Sequence, residues 1–397
     1  MEKPKGLRFS PLTLKAEILS TILLFGVAGV TLAVPNVAGC SGSSAGSGTG
    51  LPPEQSAATP TIATTAAQNG AVIVTLTDTT SGATLYYTID GSAPTPSSPK
   101  YYAPFLVASN LTLKAIAAAP PLLNSSVATQ TFSPNIASGS LVWSDEFANS
   151  GSANAEPNAT MWTWDTGTNC CGNNELETYC VWGSTTGPCT PTNPNAYVGT
   201  DGYLHVVALN PSANVYTSAR LKSQGLFSFQ YGRIEAKIML PESQGMWPAF
   251  WLLGNNITTV SWPACGEADI MEHIDGAVPP SPNLGVDWIA GSVHGGASSS
   301  AEVNGSQQYH PTGFSAAAWH TYGMIWFKGK VQFYVDDPTN IYATFNTSNF
   351  NGSWPFDQGP MFIILNLAVG GDWPGSPDAT TVFPSSMLVD YVRIYTN

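Results

Sequence analysis

The sequence predicts an all-β protein: a jelly-roll β-sandwich over residues 141–397, preceded by a smaller β-sandwich over residues 59–133. Three observations carry this. Short runs rich in Val, Ile, Thr, Tyr, Phe and Trp recur between clusters of Gly, Pro, Asn and Asp, with little helical periodicity. Charged residues are 10% of the 397, far below the usual share of about a quarter. Gly, Ser, Thr, Asn and aromatic residues are abundant instead, which suits turn-rich strands exposed outside the cell. The third observation is a basic segment followed by an apolar run at the N-terminus, the pattern of export. A chain of this length holds two or three domains, or one large β domain with attachments.

Residues 1–40 read as a signal peptide. Lys3, Lys5, Arg8 and Lys15 precede an apolar run from Ile18 to Val34, and Val37-Ala38-Gly39-Cys40 follows. The last four residues resemble a bacterial lipobox, which implies a lipidated Cys40 and an exported protein at the cell surface or outer membrane. Plain secretion after ordinary cleavage, and an uncleaved anchor helix, are the alternatives, since the run approaches spanning length. Residues 41–58 are Gly, Ser, Ala and Pro with almost no charge and read as a flexible tether. In the small module, residues 71–77, 84–89 and 111–116 are short strands divided by turn residues, the rhythm of a sandwich. Residues 86–95 resemble the C-terminal module of chitobiase-type hexosaminidases, with an immunoglobulin-like fold expected. Asp90-Gly91 there is a turn signal. No Trp occurs before Trp143, so a row of stacking indoles is missing and a spacer role is favoured over carbohydrate binding.

The large domain opens at Leu141-Val142-Trp143-Ser144-Asp145-Glu146-Phe147 and is organised around Gly266-Glu267-Ala268-Asp269-Ile270-Met271-Glu272-His273. Side chains alternate faces along a strand. Glu267 and Asp269 therefore share one face, and Ala268 and Ile270 the apolar one. Glu272 stands an odd number of residues from Glu267, so a regular strand would drive its carboxylate into the core, which is too costly to keep. A β-bulge at Ile270-Met271 returns Glu272 to the face of the other two acids. Two Glu on one face suit glycosidic-bond hydrolysis with retention, which uses a nucleophilic carboxylate and an acid/base carboxyl roughly 5–5.5 Å apart. An Asp between them crowds like charges and favours keeping one acid protonated. A solvated acidic edge or a cation site is the bland alternative. Upstream, Trp247, Ala249 and Trp251 share one parity while Phe250 and Leu252 share the other. The second set belongs in the core, so Trp247 and Trp251 are expected to face a cleft and stack on sugar rings; the alternative is that both are core residues. Phe327-Lys328-Gly329-Lys330-Val331 reads as a hairpin between aromatic strands.

The acid strand resembles the signature of family-16 glycoside hydrolases, in the bulged form of laminarinase-like members. The likeness extends through Gly245-Met246-Trp247-Pro248-Ala249-Phe250-Trp251-Leu252-Leu253-Gly254, Trp319-His320-Thr321-Tyr322, Asn366-Leu367-Ala368-Val369-Gly370-Gly371 and Met387-Leu388-Val389-Asp390-Tyr391-Val392-Arg393-Ile394-Tyr395. Ala268 departs from the pattern, which usually has Ile or Leu there. The resemblance implies an endo-1,3-β-glucanase with Glu267 as nucleophile, Glu272 as acid/base and Asp269 holding and tuning them. It further implies sugar-hydroxyl partners at Asn174, Arg220 and His294, with Trp373 in a loop bordering the cleft. No cofactor is expected for catalysis, but the family often carries a structural calcium, whose matching positions are Glu146, the carbonyl of Gly202, and Asp390. Asp390 shares parity with Leu388, Val392 and Ile394, an apolar row, so it wants a partner or a cation; a salt bridge to Arg393 or another base is the alternative. Mixed-linkage glucanase, galactan hydrolase and transglycosylase activities stay open within the family. A non-catalytic glucan-recognition protein is the reading from another class, and the three intact acids argue against it.

A net charge of −13 with 13 Lys+Arg argues against nucleic acid and suits a neutral polymer substrate better than an anionic one; the resemblance implies a β-glucan polysaccharide. A monomer is expected, touching membrane only through a lipid on Cys40. Five further cysteines, Cys170, Cys171, Cys180, Cys189 and Cys265, lie in an exported chain where thiols oxidise. Up to two bridges fit among the first four, with connectivity open. Cys265 is then odd, a small buried thiol or the partner of a loop cysteine. The lipobox reading is checked by mass spectrometry of the mature N-terminus, expected to be a diacylated Cys40; a free terminus at any other residue on a protein released to the medium would refute it.

Overall fold

The computed structural model describes residues 54–168, 172–275, 287–350 and 354–397. The export segment with Cys40, most of the tether, and Cys170 and Cys171 lie outside the described residues. Among those described, no helix is long and apolar enough to cross a membrane. The architecture is all-β, a larger and a smaller sandwich with no closed barrel, and Ser56–Asn397 form one compact unit.

In the small sandwich, one sheet holds Thr61–Ala66, Val72–Thr77 and Phe105–Val107, and the other Thr84–Thr88, Leu111–Ala118 and Ala128–Phe132. Val74, Leu76, Tyr87, Phe105 and Leu113 fill the space between them, with Tyr87 stacked on Phe105 at 5.2 Å. The large sandwich pairs an eleven-stranded sheet with a seven-stranded one. Alternation supplies its core: Ile234, Ala236 and Ile238 with Val331, Phe333 and Val335 from the first sheet, Phe250 and Leu252 with Ile363, Leu365 and Leu367 from the second. Apart from Ala236, each such side chain contributes roughly 1.5–3 kcal/mol on leaving water. The expected hairpin is present: Phe327 pairs with Lys330 across a two-residue turn in which Gly329 takes φ 74°.

The strand Ser385–Tyr395 lies inside the large sheet, between Gly232–Met239 and Leu204–Ser212. A register shift between Lys237 and Ile238 leaves Asp390 without an opposite residue. Met387 and Val389 are buried before the shift, and Val392 and Ile394 after it. The parity reading of Asp390 is thereby corrected. The extra residue breaks the period of two, so Asp390 keeps the outward side of Leu388 and not the inward side of Val392 and Ile394.

The small sandwich forms a wall of the large one. Leu106 N donates to Ser228 O at 2.9 Å, and Ser228 Oγ donates to Pro104 O at 2.9 Å. Asn69 Nδ2 donates to Leu141 O at 2.7 Å, and Tyr102 shares a hydroxyl hydrogen bond with Thr259. Ala71 belongs to the large core, and Ile73 and Leu106 pack against it. Calorimetry of the mature protein is expected to give a single cooperative transition. Removing residues 56–133 uncovers Val142 and Phe229 and is expected to lower the melting temperature. Two separate transitions in the intact chain would contradict a shared core.

Candidate active site

The acids lie on Glu267–Glu272, between Met246–Gly254 and Ile289–Gly296. Phe250 faces Met271 and the next residue, Trp251, faces Asp269, so Ile270 is extra. On the other side Asp269 faces Ser292 while Glu272 faces Ala290, three residues against two. This is the bulge that alternation requires. Ala268, Ile270 and Met271 are fully buried in the large core, and Glu267, Asp269 and Glu272 share the other face. The bulge is housed by a glycine: a Cβ on Gly291 would meet the Tyr342 hydroxyl at 2.3 Å and Phe333 at 2.6 Å. Tyr342 reaches the bulge carbonyl of Ile270 at 3.5 Å.

His294 stands opposite Glu267 in register. Its Nε2 lies 3.2 Å from Asp269 Oδ2 and 3.9 Å from Glu267 Oε1, while Nδ1 lies 2.7 Å from Glu302 Oε1. Burial opposes a charge on His294, but the contacts with Asp269 and Glu302 outweigh it and hold its pKa well above the usual value. Burial, then the charge of Asp269, raises both Glu267 and Glu272 above the ordinary carboxylate range. His294, Arg220 and a hydrogen bond from Trp262 work against this at Glu267. At Glu272 the opposing partner is Trp247, whose Nε1 donates to Oε1 at 2.9 Å.

Trp247 is half-buried and meets Trp373 edge-on at 5.4 Å, with Trp288 5.9 Å from Trp373. Trp251 takes the cleft side, as parity indicates, but is only 9% exposed. Arg220 covers it at 4.6 Å, and its Nε1 donates to Asn366 Oδ1 at 2.8 Å. Trp251 is therefore a platform for Arg220 and not an open stacking surface. Arg220 in turn pairs with Asp165, Nε to Oδ2 3.0 Å. Asn174 Nδ2 donates to both carboxylate oxygens of Asp372, at 2.9 and 3.1 Å, which ties it to the loop carrying Trp373. Gly371 there has φ 115°, and a Cβ would lie 2.9 Å from Asn173 O.

Beneath this loop Glu175 and Glu177 are buried. Tyr179 donates to Glu175 Oε2 at 3.1 Å, and Val369 N to Glu177 Oε2 at 2.7 Å. Burial, and then the charge of Glu175, pushes the Glu177 carboxyl up, toward its neutral form. Cys180 and Cys189 form a disulfide that staples the same segment. Cys265 is a free, buried thiol pushed up to about 12 by burial and by Glu267, so it is unreactive.

Trp262, Trp288, Glu302 and Asn366 escape sequence reasoning as site residues. Asn366 lay within a recognised motif and could have been found from it. Trp262 and Glu302 sit beyond loops whose lengths decide where they land; Glu302 reaches His294 because Gly296 pairs with it across the hairpin.

Of the positions matched to calcium, Asp390 lies on the other sheet, Glu146 just past the end of Leu141–Asp145, and Gly202 in a turn. Glu146 accepts from Arg393 Nε and Nη2 at 2.9 and 2.8 Å, and Asp390 from Lys237 Nζ at 2.8 Å. Gly202 shapes a turn in which its N–H bonds Gly199 O. Both carboxylates thus carry fixed cations, where calcium takes an all-oxygen shell of six to eight ligands. As folded, both carboxylates are taken up in ion pairs.

Residues 188–392, more than half of the chain, match the model of glycosyl hydrolases family 16, and residues 74–132 match an Fn3 associated model. The chain is 35% identical over 271 residues to a beta-glucanase of Rhodothermus marinus, covering 64% of this chain and 84% of that protein. It is 34% identical over 257 residues to the clotting factor G alpha subunit of Tachypleus tridentatus, covering 64% of this chain but spanning only 34% of that relative's length. The crystal structure of the laminarinase catalytic domain from Thermotoga maritima MSB8 superimposes with a TM-score of 0.54 at 34% identity, covering 66% of this chain and 99% of that one. With the bulged acid strand, its cation partners and the tryptophans beside it, these matches place the chain among the glycosyl hydrolases of family 16.

Proposed function

We propose that this protein cuts β-1,3-glucan internally, by double displacement with retention. The carrying observation is the bulge, which sets Glu267, Asp269 and Glu272 on one face between Trp247 and His294. The β-glucanase and laminarinase relatives support the same substrate class. Glu267 is the nucleophile: His294 and Arg220 favour its ionised form, and its carboxylate attacks the anomeric carbon. Glu272 is the acid/base. It gives its proton to the departing glycosidic oxygen, then takes one from the water that releases the glycosyl-enzyme. Trp247 fixes one oxygen of Glu272 through its N–H. The charge of Asp269 helps keep Glu272 protonated while Asp269 anchors His294. Trp247 and Trp373 offer apolar surface to sugar faces, and Asn174 orients the loop beneath them. All three acids are aligned, which favours turnover over recognition alone.

Laminarin is expected to be cleaved to oligosaccharides with the β-anomer formed first, followed by proton NMR; an α-anomer as first product would mean inversion and assign Glu267 as a base. Glu272→Gln is expected to lower kcat on laminarin by about 10²–10⁴-fold.

The pH profile carries a second expectation. Glu267 must be ionised and Glu272 protonated, so they set the acidic and alkaline limbs of kcat/KM. A cation beside Glu267 lowers its pKa, so removing that cation raises it. The acidic limb of His294→Gln is therefore expected to move to higher pH. Glu302→Gln, which weakens the hold on the imidazolium, is expected to move it less in the same direction. A limb unchanged in both variants would remove His294 from this role.

A further inference from the structure

We propose that the cleft binds a transition-metal dication of the zinc class through Glu267, Asp269 and His294, and that the bound ion blocks the site. One ligand atom from each of the three residues lies within 4.8 Å of the others. His294 Nε2 is 3.2 Å from Asp269 Oδ2 and 3.9 Å from Glu267 Oε1. Tetrahedral zinc, about 2.0–2.1 Å from nitrogen and oxygen ligands, separates those ligand atoms by about 3.3 Å. The His294–Asp269 edge already matches, the His294–Glu267 edge is about 0.6 Å longer, and the Glu267–Asp269 edge is at most 4.8 Å. Three protein ligands leave the fourth position for water from the cleft.

Two features besides the clustering point to a cation. Asp269 is 5% exposed, and its Oδ2, which faces the imidazole, is buried with no hydrogen-bond partner. Its near neighbour in the cluster is His294 Nε2, an ion pair at 3.2 Å. A buried acceptor without a hydrogen bond is unusual; a metal ion would bind it directly, displacing the Nε2 proton of His294 to solvent. The second feature is Glu302. By holding Nδ1 at 2.7 Å it leaves Nε2 directed at the acids, the carboxylate–histidine arrangement that orients metal-bound imidazoles. Ligand chemistry then selects the ion. One imidazole with two carboxylates suits zinc and its neighbours, whereas calcium takes six to eight oxygens and magnesium a near-ideal octahedron. The other described histidines offer less. His205 and His320 each meet a single carboxylate, Asp201 and Asp336, and His273 is committed to the Trp288 carbonyl.

Binding stands apart from the glucanase reading; blocking rests on it, because the ion would engage the lone pairs of Glu267 that attack the sugar. The test is calorimetric titration of ZnCl₂ into the mature, chelator-treated protein, with Co²⁺ as a spectroscopic probe. One equivalent is expected to bind, with a visible Co²⁺ absorption band and a raised melting temperature. Glu302→Gln, which keeps the imidazole and so guards against a folding defect, is expected to weaken binding by about 10–100-fold. His294→Ala is expected to abolish binding, while His205→Ala and His320→Ala leave it intact. Laminarin hydrolysis is expected to fall in proportion to occupancy and to return with chelator. Absence of saturable binding, or unchanged binding in both the Glu302 and His294 variants, would overturn the site. Binding with hydrolysis unaffected would overturn the blocking. A metal-free enzyme inert on laminarin would refute the glucanase reading while the titration still reads the site.

Discussion

The acid strand answers a conflict between the period of two in a β-strand and the chemistry of its side chains. One face of Glu267–Glu272 closes a hydrophobic core, and the other carries three carboxyl groups within six residues. Regular alternation would bury Glu272 in the large apolar core, where a carboxylate is not tolerated. One extra residue removes the conflict and sends both Ile270 and Met271 inward. The remaining site follows from that adjustment. Gly291 makes room for Tyr342 behind the bulge, His294 falls opposite Glu267, and Trp247 comes within reach of Glu272.

Burying acids together is costly, and the cleft offsets the cost in two ways. Charge is balanced where it must persist: His294, kept cationic by Asp269 and Glu302, sits beside Glu267, with Arg220 contributing from the far side. Charge is suppressed where it serves no purpose, as at Glu177, whose neutral form accepts the Val369 N–H and anchors the segment bearing Asn174. That segment, its disulfide and the Asn174–Asp372 bond fix the wall on which Trp373 stands. The tryptophans then divide their tasks. Trp247 and Trp373 meet edge-on beside Glu272, while Trp251 lies beneath Arg220 and supports it.

The small sandwich contributes to the large one what a tethered spacer would not. Its Phe105–Val107 strand bonds Ser228, and Ala71 enters the large core. Tyr102 also touches Thr259, in the connection that leads to Trp262 and the acid strand.

Local rules made much of this legible in the chain itself. Strand class followed from β-branched and aromatic runs between turn residues, and the bulge followed from counting parity between Glu267 and Glu272. The same counting placed Phe250 and Leu252 inside and the Lys328-Gly329 turn between its strands. It failed at Asp390, where a second bulge, with no charged row to expose it, reversed the faces of Ser385–Tyr395. Tertiary structure alone decided the contacts between distant segments: Arg220 over Trp251, Glu302 behind His294, Lys237 and Arg393 on the carboxylates matched to calcium, and Cys180 joined to Cys189. The physical reason is range. Side-chain alternation and turn chemistry act over a few residues and are written in adjacent positions, whereas the partner of a buried charge is set by sheet order and loop length.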